Sequence, residues 1–221
     1  MTDHEEWDAV VVGAGPAGSV TARELARGGA RVLLVDKATF PRPKVCGCCL
    51  NRATLAALRA VGLGHIPARC GAVPLSRVKL AAGRSAADVL LPGGVAVSRE
   101  AFDAALAAEA ANRGAELVQG TRAALVDDDD PNWRRLRLTR GGEVGEARAR
   151  VVLAADGLGG GLLTRAGLGH ADVRADSRIG AGAVFASPML DYERHVIHMA
   201  SGHGGYAGLV RLEDDRLDVA A

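Results

Sequence analysis

The chain has 221 residues, enough to bury a full core in one large domain or two small ones. Hydrophobic residues make up 48% and charged residues 24%, an ordinary globular balance, and the net charge of +1 gives no electrostatic case for nucleic acid. No apolar run approaches the ~18 residues that a membrane-crossing helix needs, and the acidic start (Asp3, Glu5, Glu6) lacks the apolar core of a signal peptide, so a cytoplasmic protein with reduced thiols is expected.

In chain order, Asp8 to Val12 reads as a short apolar strand of the kind buried on both faces. Gly13, Gly15 and Gly18 follow directly in G-x-G-x-x-G spacing, and Pro16 suits the first turn of a helix. That helix is predicted to run to Arg27 and stop at Gly28-Gly29. Arg31 to Val35 is a second predicted strand, closed by Asp36. Each part has a task in holding a dinucleotide. Gly13 allows the tight turn, Gly15 lets a pyrophosphate approach the backbone, and Gly18 lets helix and strand pack closely. The helix N-terminus offers N–H groups to the phosphates, and Asp36 accepts from the ribose hydroxyls of an adenosine. A glycine-rich turn that binds nothing is the alternative.

Lys37 to Cys49 (KATFPRPKVCGCC) reads as an extended loop, because Pro41 and Pro43 forbid a helix. Cys46, Cys48 and Cys49 fall within it, with Cys70 remote and no C-x-x-C pair, a pattern that speaks against zinc. Asn51 is a candidate cap for a helix to Ala60 with Leu55 and Leu58 inward. Two antiparallel strands are expected near Val78–Leu80 and Ala87–Leu91. Ser98 is expected to cap a helix through Asn112 with Phe102, Leu106 and Ala110 on one face, before a strand at Ala115–Gln119. The acidic stretch at 127–131 reads as a solvated turn. A hairpin is predicted over 133–150, turned at Gly141-Gly142, then a strand at Val151–Ala154, Asp156-Gly157, and a short helix over 158–167. Strands are expected near Ile179–Ala186, His195–Met199, Tyr206–Leu212 and Arg216–Ala220. His195 and His198 would face opposite sides of their strand; a surface position is favoured, with one histidine facing a substrate cavity as the alternative. Leu217 to Ala221 would end as an unpaired apolar strand, from which a fragment of a longer or split gene product is expected.

The opening βαβ, then PRPKVCG, Val97-Ser98-Arg99 at a helix start, and Ala155-Asp156-Gly157 after a later strand resemble the geranylgeranyl reductase-like branch of a flavoprotein group. That group also holds the aromatic hydroxylases related to p-hydroxybenzoate hydroxylase and the flavin-dependent halogenases. The resemblance is densest over residues 8–64, returns at 97–120 and 150–168, and implies FAD rather than NAD as the bound dinucleotide. It implies an α/β fold: a Rossmann-like FAD-binding domain with an antiparallel hairpin insertion and part of an antiparallel substrate domain, divided as 1–70, 71–97, 98–177 and 178–221.

By resemblance, Gly13, Gly15 and Gly18 hold the pyrophosphate and Asp36 the adenosine ribose, with Pro16, Ala17 and Lys37 counted among the cofactor-binding residues. Lys44, Val45, Cys46 and Gly47 line the flavin side, and Arg99 reaches the cofactor's phosphate or ribose. Asp156 and Gly157 match a motif that serves both FAD and NAD(P)H. Arg99 as a solvated first-turn residue and Asp156 as a plain helix cap are the alternatives. Cys46 is the candidate catalytic residue, a proton donor or substrate contact, with a packing role as its alternative. The pattern departs from the family at Cys48-Cys49, in lacking a later glycine/aspartate motif, and in lacking the halogenases' tryptophan motif, since Trp7 and Trp133 stand alone. The implied activity is oxidoreduction with NADPH or NADH as electron donor. It either reduces a double bond of, or hydroxylates, a small apolar organic substrate of prenyl, polyketide or aromatic type. A NAD-dependent dehydrogenase and a non-catalytic nucleotide-binding module are the rivals. No metal and no nucleic-acid partner is expected, peripheral membrane contact is left open, and the oligomeric state is unassigned.

Overall fold

A computed structural model describes residues 5–127, 130–158, 161–169, 174, 176–186 and 191–221. In chain order the elements begin with β1 (Glu5–Val12), α1 (Pro16–Arg27), β2 (Val32–Val35), β3 (Cys49–Asn51), α2 (Arg52–Ala60), α3 (Ile66–Arg69), β4 (Val73–Pro74), β5 (Arg77–Ala82), β6 (Ser85–Leu90) and β7 (Gly94–Ala96). They continue with α4 (Arg99–Asn112), β8 (Glu116–Val118), β9 (Arg122–Val126), β10 (Arg134–Arg140), β11 (Glu143–Ala154), α5 (Gly161–Arg165), β12 (Gly182–Phe185), β13 (Val196–Gly202), β14 (Gly205–Arg211) and β15 (Leu217–Ala220). No helix among the described residues is long and apolar enough to cross a membrane.

Two compact units result, one of residues 1–42 and 103–175, the other of 43–102 and 176–221, so one division falls inside α4. The first unit holds a six-stranded sheet in the order β8-β2-β1-β11-β10-β9. β1 lies at its centre, parallel to β2 on one side and to β11 on the other, with Val10 opposite Leu33 and Val152. A strand with parallel neighbours on both sides has both faces covered, which is why β1 and β2 are apolar without alternation. Val10, Val12, Leu33, Val35, Leu136 and Leu162 bury one face, while Val11, Val32, Leu34, Ala22, Ala107 and Ala110 bury the other. Trp7 closes the first cluster with the Arg31 guanidinium stacked 4.4 Å over its ring.

The hairpin and the strand expected after it are one element. β11 runs 12 residues without a break, antiparallel to β10 at its start and parallel to β1 over Ala147–Ala154. Nothing between Arg150 and Val151 interrupts an extended backbone, so the change from polar alternation to an apolar run marks a change of neighbour, not a turn.

The second unit holds a six-stranded sheet, β12-β15-β14-β13-β5-β6, and a small sheet, β3-β7-β4. Its core gathers Cys48, Val73, Leu75, Ala96, Val210 and Leu212. Here the sequence reading needs correction at β15. It is not an unpaired edge: it pairs antiparallel with β12 and with β14, and Ala181 and Ala221 exchange two 2.8 Å backbone hydrogen bonds. The partner lies more than thirty residues upstream, where the local pattern of β15 does not point. His195 stands before β13, with φ of +68°, so only His198 belongs to that strand. Asp128 and Asp129 of the expected acidic turn lie outside the described residues.

Caps behave as the side chains dictate. Asn51 Oδ1 accepts from Thr54 N–H at 2.8 Å, and Ser98 Oγ accepts from Ala101 N–H at 3.1 Å. Ser98 is itself buried and held from far along the chain. Its N–H and hydroxyl donate to the Glu213 carboxylate at 2.9 and 2.5 Å. Glu213→Ala leaves both donors unmatched and is expected to destabilise the fold by ~1–3 kcal/mol, with Glu213→Gln losing less because it keeps an acceptor; urea unfolding measures both.

Gly18 shows the tightest packing. A Cβ there would lie 1.8 Å from the Gly13 carbonyl oxygen and 3.2 Å from Ala155 Cβ. Gly18→Ala is expected to cost ~3 kcal/mol or more, because the obstacle is backbone and cannot rotate away; a fall in Tm checks it.

Candidate functional site

In the first unit the β1–α1 turn is wedged against the end of β11. Gly13 has φ of +104°, and a Cβ there would sit 2.3 Å from the Ala155 carbonyl oxygen and 2.9 Å from Asp156 Cα. The backbone therefore leaves β1 close beside Ala155-Asp156 and enters α1 at Gly15. No side chain caps that helix, its first turn carries no acid, and Pro16 opens it. Pro16 lacks an N–H, but the other first-turn amides, Ala17 and Gly18 among them, point out of the helix end with its partial positive charge. This donor set suits two phosphates.

Asp36, at the end of β2, is 6% exposed. One carboxylate oxygen accepts from Ala14 N–H at 2.7 Å and the other from Ala38 N–H at 2.8 Å. A carboxylate offers about four acceptor directions, so the residue that ties β2 to the nucleotide turn keeps capacity for hydroxyl donors. The sequence reading missed the next shell of charge. Arg42 lies 3.9 Å from Asp36 and 3.3 Å from the fully buried Asp103. The signal was the arginine of PRPK, read there only as part of a loop. Lys37 points to solvent. Asp156 takes the capping geometry, its Oδ2 accepting from Leu162 N–H of α5 at 2.8 Å, and Gly157 has φ of +84°.

Two cavities stand out among the described residues of the second unit. The larger, about 520 Å³, lies on one face of the β6-β5-β13-β14 sheet and is lined by Lys79, Ala81, Asp88, Tyr192, His198 and Leu209 among others. His198, favoured above for a surface position, instead lines this cavity, edge-on to Tyr192 at 5.0 Å, with no hydrogen-bond partner at Nε2. Burial keeps it neutral by lowering its pKa. No cysteine or serine is among the residues that line this cavity.

The smaller cavity, about 360 Å³, carries the reactive groups. Lys44, Val45, Cys46, Cys48, Arg99 and Asp218 all line it, so four of the residues singled out in the sequence meet here. Gly47 is not among its walls and faces open space. All four cysteines are free. The Cys48 thiol hydrogen-bonds to the Cys46 sulfur, and with the Arg99 guanidinium it lowers the Cys46 pKa to about 5 against the opposing effect of burial. Cys48, left φ-positive at +50° and 4% exposed, is driven in the other direction. Asp218, which the sequence reading passed over, is 4% exposed, and burial raises its pKa to about 6. It was hidden because it is one acid in an alternating strand that reads as solvent-facing. At neutral pH Cys46 is thus the thiolate of a pair sharing one proton, and a proton donor only when resupplied.

The sequence signature of the FAD binding domain family matches residues 6–210. The menaquinone reductase of Mycobacterium tuberculosis is 37% identical over 171 residues, covering 71% of this chain and 39% of the relative. The digeranylgeranylglycerophospholipid reductase of Methanothrix thermoacetophila is 33% identical over 157 residues, covering 68% and 39%. The chain thus spans about two fifths of the length of these relatives. Among solved structures, the geranylgeranyl bacteriochlorophyll reductase-like protein of Thermoplasma acidophilum superposes with a TM-score of 0.77 at 22% identity, over 98% of this chain and 56% of that one, a likeness of fold. With the glycine turn, the open end of α1 and the acid closing β2 all in place, the chain belongs to the FAD binding domain family.

Proposed function

We propose that this chain is the FAD-binding part of an oxidoreductase that draws electrons from NADPH or NADH and acts on an apolar prenyl, polyketide or aromatic substrate. The observation that carries this function is the uncapped N-terminus of the 12-residue helix α1, set by Gly13 and Gly18 beside an acid at the end of β2. Gly15, Ala17 and Gly18 hold the pyrophosphate, and Asp36 accepts from the ribose hydroxyls while Arg42 balances its charge. Bound there, the flavin supplies hydride or oxygen chemistry that no side chain of this protein performs. By the family resemblance Lys44, Val45 and Cys46 line the flavin side and Arg99 reaches the cofactor's phosphate or ribose, with Cys46 supplying or taking a proton. Double-bond reduction is favoured over hydroxylation, because the two relatives reported above are named as reductases and a dithiol beside an acid suits proton delivery.

The decisive experiment is a visible spectrum of the purified protein before and after anaerobic NADPH. Flavin absorbance that bleaches on NADPH is expected. No flavin absorbance points to a nicotinamide dehydrogenase, and absorbance that never bleaches points to a binding module.

Asp36 has a double role, and its removal separates fold from cofactor. Asp36→Ala is expected to lower Tm, because Ala14 N–H loses its acceptor, and to weaken FAD by ~1–3 kcal/mol. Asp36→Asn keeps one oxygen for Ala14 and is expected to recover most of the Tm but not the FAD affinity. Calorimetry and FAD titration read the two effects, and unchanged FAD affinity in both variants rejects the ribose role.

A further inference from the structure

In the smaller cavity of the second unit, one thiol hydrogen faces two acceptors. Cys48 stands between the Cys46 sulfur and the Asp218 carboxyl, and interacts with each. Asp218 Oδ2 has no hydrogen-bond partner, although its residue is 96% buried and forms part of the cavity wall. A carboxyl group so placed is costly unless it is protonated or shares a proton. β15 sets its position: Asp218 stands opposite Val210 on β14, and Val210 belongs to the same core cluster as Cys48. The other charged and titratable groups around this site are Lys44 and Cys49 from the loop, Arg99 and Glu100 from the start of α4, and Arg216 ahead of β15. Arg216 is tied to Glu100 at 2.6 Å and to Asp214 at 2.5 Å, so Arg99 is the cation that acts on Cys46.

We propose that Cys46, Cys48 and Asp218 form one proton-sharing unit, in which Asp218 supplies, through the Cys48 thiol, the proton that Cys46 delivers to a group bound in this cavity. The transfer balances without any change of oxidation state. Starting from the Cys46 thiolate, the Cys48 thiol and the protonated Asp218, Cys46 takes the Cys48 proton as Cys48 takes that of Asp218, and the Cys46 S–H so formed gives its proton to the bound group, which returns Cys46 to the thiolate and Cys48 to the thiol. Asp218 is left as carboxylate and is reprotonated from solvent through the cavity mouth. Asp218 is a positioning residue, since it reaches the substrate only through the two sulfurs. The ligand class follows from the walls. Val45, Ala183, Val184 and Leu212 receive an apolar group, and Arg99 faces the atom that carries negative charge before it is protonated. On the oxidoreductase function proposed above, on which this role rests, that atom is the second carbon of a double bond whose first carbon has received hydride.

The experiment is alkylation of the full 221-residue chain by iodoacetamide across pH 4.5 to 9, with the rate at Cys46 resolved by peptide mass spectrometry. Cys48→Ala removes the donor, and the Cys46 midpoint is expected to rise by ~2 pH units or more toward the ordinary thiol value of about 8.5. Asp218→Asn removes a negative charge and a competitor for the Cys48 hydrogen, and the midpoint is expected to fall by ~0.5 unit or more. Opposite shifts support the unit. An Asp218→Asn profile that superposes on the unaltered chain overturns it, as does a Cys48→Ala profile that does so. Loss of the fold would raise the midpoint in both variants, and circular dichroism identifies it. In that case the unaltered chain decides. Blocking Cys46 with iodoacetamide is expected to lower the midpoint of the Asp218 carboxyl carbon, followed by NMR, and an unmoved midpoint overturns the proposal, because coupling between two titrating sites is reciprocal. Neither measurement involves flavin or nicotinamide, so failure here leaves the oxidoreductase function standing, and a chain that never bleaches with NADPH leaves the proton-sharing unit standing.

Discussion

Two missing Cβ atoms govern the first unit. Gly13 and Gly18 let the β1–α1 turn, the first turn of α1 and the Ala155-Asp156 segment occupy a space in which any side chain would collide with backbone. Everything useful about the turn follows from that approach. β1 stays parallel to both neighbours, α1 starts directly above the strand ends, and its amides face outward. The Asp36 carboxylate is then close enough to Ala14 N–H to lock the turn from the β2 side. The partial positive charge here is a consequence of backbone geometry rather than of clustered lysines or arginines, so a chain with a net charge of only +1 still has a helix end suited to an anion.

The second unit solves a different problem, holding an acid and two thiols out of water without pairing each to its own counter-ion. The Arg99 guanidinium favours the Cys46 thiolate, and further stabilisation comes from the Cys48 hydrogen, which faces both Cys46 and Asp218. Such a set is poised rather than stable in one protonation state. Glu213 contributes at a distance from the chemistry. By holding Ser98 it fixes the first turn of α4, and with it the position from which Arg99 reaches Cys46.

What could be read from the sequence was local. The βαβ, the Asn51 and Ser98 caps, the buried face of α4 and the hairpin turn at Gly141-Gly142 depend on residues within a few positions of one another, and each stands in the structure. The meeting of Arg99 with Lys44, Val45 and Cys46 was not foreseen, because the family likeness gave the three loop residues the flavin side and Arg99 the cofactor's phosphate or ribose. What escaped was long-range. The burial of Asp218 is decided by β12, β14 and the cysteine loop, none of which its own strand specifies. The pairing of β15 with β12, the grip of Glu213 on Ser98 and the salt links of Arg42 to Asp36 and Asp103 are likewise invisible to periodicity. β11 was divided in two because its pattern changes where its neighbours change.

The central place of β1 has a consequence for biosynthesis. Its partner β2 follows within a few dozen residues, but β11 is complete only ~120 residues after β2, so at about 5–20 residues per second a nascent chain carries β1 half-paired for ~6–24 s. Throughout that interval Trp7 and Val10 lack the Leu136, Ala147 and Ala149 side chains that later cover them. An apolar strand with one open edge is what holdase chaperones bind and what aggregates at high expression. Slower translation across residues 116–154 lengthens this exposure, and coexpressed chaperones protect the chain most during the same window.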